Sequence, residues 1–257
     1  MDMELAGLRA VVTGASRGIG LAVARALIAE GAEVIGAARG ATDESAALES
    51  EGGFTFVAAD LGSAAGVEAF ADAVAGDVDV LVNNVGSAPP RPGGFASITD
   101  DDWQRTLELN LLACVRVTRS FLPRLTPGAA IVNIASENSL LPDPLVMDYS
   151  AAKAGVLSFT KSLAKQAAAQ GLRVNAISPG PVATDLWLGG NGVAAVVSGA
   201  TGQSADDVRR GAEAAMPTGR FTRPEEVADL VVVLASPRFA NVSGAEFVID
   251  GGMRPTI

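Results

Sequence analysis

Short apolar runs rich in valine and isoleucine alternate with longer segments whose apolar residues follow helical spacing. The runs predict seven strands, near Leu8–Val12, Glu33–Ala37, Phe54–Ala58, Asp79–Val82, Ala129–Ala135, Arg173–Ser178 and Glu246–Ile249. The helical patterns cover Ile19–Glu30, Ser63–Ala75, Asp100–Leu125, Tyr149–Gln170 and Pro224–Ser236. Because strands that are apolar along their whole length are typical of parallel sheets covered on both faces, we expect a doubly wound α/β fold with a mostly parallel seven-stranded sheet.

The pattern indicates one domain over residues 1–257, with no internal repeat, low-complexity tract or linker. Two helical segments, Asp100–Leu125 and Tyr149–Gln170, carry more apolar residues than a single buried stripe needs. Such helices are either deeply buried in the core or form a subunit interface. We therefore expect a homo-oligomer, either a tetramer or a dimer.

Composition excludes several classes of protein. The chain has one Cys and no His, which removes an internal disulfide, the common zinc sites and the imidazole-dependent protease triads, so no metal site is expected. The formal net charge of -10 repels phosphate backbones and argues against nucleic acid as a partner.

Neither a signal peptide nor a membrane span is expected from the sequence. The first residues are acidic where a signal peptide is basic. The longest charge-free stretch, Leu186 to Ala205, contains five glycines and several polar residues, which predicts a flexible segment rather than a membrane helix. We expect a cytoplasmic protein.

A glycine-rich loop, Thr13-Gly14-Ala15-Ser16-Arg17-Gly18-Ile19-Gly20, lies between the first strand and the first helix. Glycines allow a sharp turn and a close approach to a pyrophosphate, and the helix that follows offers free N–H groups and the positive end of its dipole. This position between strand and helix predicts a dinucleotide-binding loop.

The end of the second strand indicates which dinucleotide binds. An acidic side chain there would accept hydrogen bonds from the ribose of NAD, but the sequence reads Ala37-Ala38-Arg39. Arg39 and Arg17 are suited to pair with a ribose 2′-phosphate, so NADP(H) is preferred over NAD(H).

The single tyrosine of the chain, Tyr149, stands four residues before Lys153, so both side chains share one helix face. A nearby cation favours the phenolate and lowers the pKa of the tyrosine toward the working pH, as proton transfer to a carbonyl oxygen requires. Ser136 follows the fifth predicted strand, where ligands of an open parallel sheet bind. On its own a Tyr-x-x-x-Lys pair is common and mostly structural.

Other motifs accompany this pair in a fixed order. They are Thr13-Gly14-x-x-x-Gly18-x-Gly20, Asp60, Asn83-Asn84-x-Gly86, Asn110, Ser136, Tyr149-x-x-x-Lys153 and Pro179-Gly180. Together they resemble the single-domain short-chain dehydrogenase/reductase family, and the resemblance extends from Leu8 to Gly252. It implies a Rossmann fold and hydride transfer between a nicotinamide and a carbon that bears oxygen.

The resemblance also implies roles for individual residues. Tyr149 would be the general acid and base, Lys153 would lower its pKa and hold the nicotinamide ribose, Ser136 would bind the substrate oxygen, and Asn110 would fix a water. The implied cofactor contacts are Gly14, Ser16, Arg17, Gly18, Ile19, Gly20, Arg39, Asp60, Leu61, Asn83, Gly86, Tyr149, Lys153, Pro179, Gly180, Val182 and Thr184.

Two acidic residues adjoin the implied catalytic positions. Glu137 directly follows the serine, and Asp148 directly precedes the tyrosine. Asp148 would oppose formation of the phenolate if it pointed inward, but at the start of a helix a carboxylate more commonly caps the N-terminus or interacts with the dipole.

The substrate is expected to be a small ketone or secondary alcohol. The resemblance places a substrate lid at about residues 181–215, and the apolar start of this lid, Leu186-Trp187-Leu188, suggests a substrate with a hydrophobic part.

One alternative function is that of a 3-oxoacyl-(acyl-carrier-protein) reductase, although the basic residues nearest the expected carrier surface, Arg124 and Arg173, are displaced from it. Another alternative is a non-catalytic NADP(H)-binding regulator.

Overall fold

The structure is a computed structural model that describes residues 2–255, and it confirms the doubly wound α/β fold. All seven strands are parallel and form one sheet in the order β3-β2-β1-β4-β5-β6-β7. Their bounds are Arg9–Thr13 (β1), Glu33–Ala38 (β2), Phe54–Ala58 (β3), Val78–Asn83 (β4), Leu125–Ile134 (β5), Arg173–Pro179 (β6) and Glu246–Ile249 (β7). The strand order reverses between β1 and β4, which is where ligands bind in open α/β sheets.

Helices cover both faces of the sheet. They are Gly18–Ala29 (α1), Asp43–Glu51 (α2), Ala64–Ala73 (α3), Asp100–Leu107 (α4), Ala113–Phe121 (α5), Met147–Ala167 (α6), Asp185–Leu188 (α7), Val193–Thr201 (α8), Ala205–Ala215 (α9) and Pro224–Ala235 (α10). Because side chains alternate along a strand, Val12 packs in the layer that contains α1 and α10, whereas Val11 packs in the layer that contains α3, α5 and α6. The sheet is therefore buried on both faces, as its continuous apolar strands predict.

The segment predicted as one helix over Asp100–Leu125 is interrupted. Between α4 and α5 the chain forms a wide π-helical turn at Glu108–Leu112, and the segment has already entered β5 at Leu125. Hydrophobic spacing does not distinguish a π turn from an α turn, so the prediction was wrong about continuity. Turns of this kind occur frequently at functional sites, and this one contains the predicted catalytic residue Asn110.

Helix α2 was missed because its residues are mostly polar and only Ser45 and Leu48 are buried. The sequence feature that predicts α2 is a capping box at its N-terminus. Thr42 accepts a hydrogen bond from the Ser45 N–H while the Ser45 hydroxyl accepts one from the Thr42 N–H, and acidic residues occupy the first turn.

The segment Leu186 to Ala205, expected to be flexible, is folded into parts of three helices, α7, α8 and the start of α9. Its glycines act at helix ends. Gly192 stands at the N-cap of α8, and Gly202, at a φ of 76°, ends it in the left-handed conformation. Within residues 2–255 no helix is both long and apolar enough to cross a bilayer. The cytoplasmic location stays a prediction.

Candidate active site

A large cleft opens at the carboxyl ends of the central strands, with a cavity volume of about 1530 Å³. This exceeds the roughly 300–1,000 Å³ of a site for one small molecule, so the cleft has room for a dinucleotide and a second ligand. Most of the predicted site residues line it: Gly14, Ser16, Arg17, Gly18, Ile19, Arg39, Asp60, Leu61, Gly86, Ser136, Tyr149, Lys153, Pro179, Gly180, Val182 and Thr184. Three predicted residues do not: Gly20, Asn83 and Asn110.

The glycine-rich loop is built around positive backbone angles and a close packing contact. Gly14 and Gly18 have φ values of 68° and 55°, which favour glycine. A Cβ atom at Gly20 would lie 2.2 Å from the carbonyl oxygen of Gly14, so Gly20 permits α1 to approach β1 rather than facing the cleft. No side chain caps the N-terminus of α1, and its first turn carries no acidic residue, so its N–H groups suit a bound phosphate.

The two arginines predicted to read the 2′-phosphate differ in their surroundings. Strand β2 ends at Ala38, and Arg39 lines the cleft directly after it. Arg17 forms an exposed ion pair with Asp185 of α7, with 3.4 Å between Nη1 and Oδ2. The ion pair connects the glycine-rich loop to the lid segment, and an exposed pair of this length is easily exchanged for another partner.

The side chain of Asn83 is buried beneath the cleft instead of lining it. Its Nδ2 donates to the Thr118 hydroxyl at 2.9 Å and to the Asn133 Oδ1 at 2.8 Å. Asn84, which the sequence analysis did not assign, lines the cleft and donates through Nδ2 to the carbonyl oxygens of Thr13 and Gly14, at 2.9 and 3.3 Å. Asn83 ends β4 and Asn84 follows it, and successive side chains point in opposite directions there, so Asn84 is the one that lines the cleft. Contact of Asn83 with the cofactor stays a prediction.

Ser136, Tyr149 and Lys153 lie together on one wall of the cleft. Ser136 stands just beyond β5, and the four-residue spacing on α6 stacks the other two, with Lys153 Nζ 5.7 Å from the centroid of the Tyr149 ring. Lys153 is buried, and its Nζ donates to the carbonyl oxygen of Ile134 at 2.8 Å. The lysine is thereby fixed between the end of β5 and the tyrosine.

Asn110 lies immediately behind the cleft wall. Its Nδ2 donates to the carbonyl oxygens of Ser87 and Thr106, at 2.9 and 3.0 Å, and its Oδ1 accepts from the Ser87 N–H at 3.0 Å. A Cβ atom at Gly86 would lie 2.8 Å from this Oδ1 and 3.4 Å from Lys153 Nζ, so Gly86 keeps the space between Asn110 and the lysine open.

Burial, rather than the neighbouring cation, dominates the ionisation of the catalytic pair. It raises the pKa of Tyr149 to about 12, although the Ser136 hydroxyl acts in the opposite direction. It also lowers the pKa of Lys153 to about 8. Lowering of the phenol pKa by Lys153 stays a prediction. The phenol is neutral at physiological pH, which is the form that donates a proton.

Asp148 neither opposes the phenol nor serves only as a helix cap. It is fully buried, and its Oδ2 accepts hydrogen bonds from Arg91 Nη2 at 2.7 Å, Arg91 Nε at 3.2 Å and the Thr106 hydroxyl at 2.8 Å, while its Oδ1 accepts from the Tyr149 N–H at 3.1 Å. Arg91 also pairs with Asp102 at 3.2 Å. This ion-pair cluster joins the loop before α4, α4 itself and the start of α6.

The comparisons with known proteins agree with this geometry. A family profile described as enoyl-(acyl carrier protein) reductase matches residues 14–254. The 3beta-hydroxysteroid dehydrogenase 1 of Eggerthella lenta is 37% identical, with 97% of this chain and 95% of that protein covered. The 3-oxoacyl-(acyl-carrier-protein) reductase of Vibrio harveyi is 35% identical, with 98% and 99% covered. The structure of L-sorbose reductase from Gluconobacter frateurii, complexed with NADPH and L-sorbose, is 32% identical with a TM-score of 0.91, and each chain is fully covered.

A parallel Rossmann sheet with a cleft at its switch point is the architecture typical of dinucleotide-binding proteins. The chain belongs to the short-chain dehydrogenase/reductase family, as its ordered motifs indicate.

Proposed function

We propose that this protein is an NADP(H)-dependent oxidoreductase that interconverts ketones and secondary alcohols, with Tyr149 as the general acid and base. The observation that carries the proposal is the meeting of Ser136, Tyr149 and Lys153 on the wall of a cleft whose far end is a glycine-rich phosphate loop.

The residues that line the cleft fit the cofactor. The pyrophosphate would lie at the uncapped N-terminus of α1, and Arg39 with Arg17 would hold the 2′-phosphate. Asp60 and Leu61 would border the adenine, while the segment from Pro179 to Thr184 would border the nicotinamide. When bound, the nicotinamide supplies or accepts the hydride.

The chain itself supplies the proton and holds the substrate. In reduction the neutral Tyr149 phenol donates its proton to the substrate oxygen, which the Ser136 hydroxyl orients. The Lys153 ammonium stabilises the phenolate that remains, and Asn110 holds the backbone around Ser87 and Thr106 behind them. In oxidation the same phenolate takes the proton from the alcohol.

Replacing Arg39 with Ala is expected to change cofactor preference. The Arg39→Ala variant loses a charge-assisted contact to the 2′-phosphate, so we expect the KM for NADPH to rise about 10-fold or more while the KM for NADH changes by less than about threefold. Initial rates with both cofactors measure this. The control is Arg119→Ala, which removes an exposed arginine of α5. Equal changes in the two KM values would contradict the NADP(H) assignment.

The rates of ketone reduction and of alcohol oxidation should depend on pH in opposite ways. Because the pKa of Lys153 is lowered to about 8, its ammonium is complete below that pH and is lost above it, so kcat/KM for ketone reduction should fall as the pH rises through about 8. Because the pKa of Tyr149 is raised to about 12, alcohol oxidation should rise with pH over the same interval. Rate profiles in both directions measure this, and parallel profiles would contradict the assigned roles.

A 3-oxoacyl-(acyl-carrier-protein) reductase is the second candidate, favoured by the Vibrio harveyi relative. The two arginines nearest the expected carrier surface are already engaged. Arg124 donates to the carbonyl oxygens of Gly76 and Ala71, and the buried Arg173 donates to the last carbonyls of α10 at Leu234 and Ala235. With a net charge of -10 as well, an acidic carrier lacks a basic surface here. Comparing a 3-oxoacyl thioester with and without its carrier tests this candidate.

We also propose that the protein assembles as a homo-oligomer, a dimer or a tetramer. Half-buried apolar side chains remain on the outer parts of the α4–α5 segment and of α6, among them Leu112, Val115 and Phe159. Pairing these helices with a second copy would remove that surface from water. Sedimentation equilibrium tests the proposal, and a monomer at micromolar concentration would contradict it.

A further inference from the structure

Glu137 is a buried carboxyl group on the cleft wall that has no partner. It directly follows Ser136, opens the short turn Glu137–Ser139, and exposes only 8% of its surface. No residue between 2 and 255 donates a hydrogen bond to its side chain, and its Oε2 is shielded from solvent without a partner. A buried carboxyl group without hydrogen bonds is costly to the fold, so its retention calls for a ligand that satisfies it.

The surroundings of Glu137 leave its oxygens available. A Cβ atom at Gly180 would lie 2.9 Å from Oε2, so the glycine allows the carboxyl group to approach the backbone there. The two nearest acidic residues are already engaged: Asp250 accepts from the N–H groups of Gly252 and Arg254, and Asp143 accepts from that of Leu145. Of these three carboxyl groups, Glu137 is therefore the one that accepts no hydrogen bond from the described residues.

We propose that Glu137 binds a hydroxyl group of the substrate close to the reacting carbon, so that the substrates are hydroxylated ketones and polyols rather than simple apolar ketones. The inference rests on the proposed function, because Ser136 and Tyr149 fix where the reacting oxygen lies. Glu137 directly follows Ser136 and lines the same cleft as Tyr149, which places its carboxyl group beside the reaction centre. An apolar part of the same substrate would face Leu186 and Trp187, which also line the cleft.

A hydroxyl group can bind at this corner in either protonation state of Glu137. Burial, with the charges of Asp250 and Asp143, raises the pKa of Glu137 to about 7, so both forms of the carboxyl group exist near neutral pH. A hydroxyl can donate to the charged form and accept from the neutral form, and the amino alcohol in the test below distinguishes it from an ammonium.

Substrates matched in carbon skeleton test this directly. The purified protein is assayed with NADP for oxidation of 2-butanol, 1,2-butanediol, 1,3-butanediol and 1-amino-2-butanol, and the six-carbon analogues form a second series. The variants are Glu137→Leu, which removes both oxygens, and Glu137→Gln, which keeps one acceptor at the same place. Asp143→Asn is the matched control, because it removes a neighbouring charge and keeps the acceptor for Leu145.

The measured quantity is the ratio of kcat/KM for the better diol to kcat/KM for the mono-alcohol. In wild type it should exceed one, and in Glu137→Leu it should fall about 10-fold or more, as expected for loss of a hydrogen bond to a charged group. The ratio for Glu137→Gln should lie between those of wild type and Glu137→Leu. The ratio for Asp143→Asn should stay within about threefold of wild type.

Three outcomes would overturn the inference. If Glu137→Leu slows diol and mono-alcohol equally, Glu137 acts only on Tyr149 and binds no hydroxyl, while the proposed function stands. If the amino alcohol is preferred over both diols, the bound group is an ammonium. If neither the four-carbon nor the six-carbon series is oxidised although NADP binds, the proposed function fails together with the inference.

Discussion

Replacing Tyr149 with Phe is expected to lower kcat about 10²- to 10⁴-fold in both directions, the range that general acid–base catalysis contributes. The phenol lines the cleft with Ser136 and Lys153, and its raised pKa keeps it neutral at physiological pH and able to donate a proton. Phe keeps the half-buried ring and removes only the hydroxyl. The affinity for NADPH, measured by fluorescence titration, should therefore change by less than about threefold.

The same residue offers a direct spectroscopic check, because Tyr149 is the only tyrosine of the chain. Its ionisation produces the ultraviolet absorbance change of phenolate, and in the free protein that change should centre near pH 12. The Tyr149→Phe variant should lack the signal. Full activity of Tyr149→Phe, or a phenolate already formed at neutral pH in the free protein, would contradict the assigned role.

Replacing Arg91 with Met is expected to destabilise the fold by about 3–5 kcal/mol, the cost of breaking a buried ion pair by removing one partner. Arg91 donates twice to the fully buried Asp148 and has only 16% of its own side chain exposed. Without it, Asp148 keeps the Thr106 hydroxyl and the Tyr149 N–H as donors but loses its only counter-charge among the described residues. The midpoint of urea unfolding measures the loss.

Arg105→Met is the matched control for Arg91→Met. Arg105 pairs with the same Asp102 oxygen at 2.7 Å, but its side chain is 69% exposed and it does not contact Asp148. Its removal should cost less than about 1 kcal/mol, as for most surface ion pairs. Equal destabilisation by the two substitutions would show that Asp148 does not depend on Arg91.

The sequence predicts the features that depend on local pattern. The parallel sheet covered on both faces follows from apolar runs, the phosphate loop follows from Gly14, Gly18 and Gly20, and the Tyr149–Lys153 pair follows from helical spacing. Each of these is fixed by residues close together in the chain, so a motif is enough to find it.

Features that depend on distant contacts could not be predicted. Asp148 meets Arg91 across 57 positions, and no spacing rule joins them. The pKa of Tyr149 depends on burial by several elements at once, which the four-residue spacing to Lys153 does not reveal. Asn83 and Asn84 are adjacent and chemically identical, and only the register at the end of β4 decides which one faces the cleft.

The most direct test of the central claim is to follow the near-ultraviolet absorbance of NADPH while the purified protein is mixed with a panel of ketones and hydroxyketones, with NADH in parallel. We expect steady oxidation of NADPH with at least one ketone, and slower oxidation of NADH at the same concentration. Binding of NADPH without turnover of any ketone would contradict the claim and would instead identify a cofactor-binding regulator.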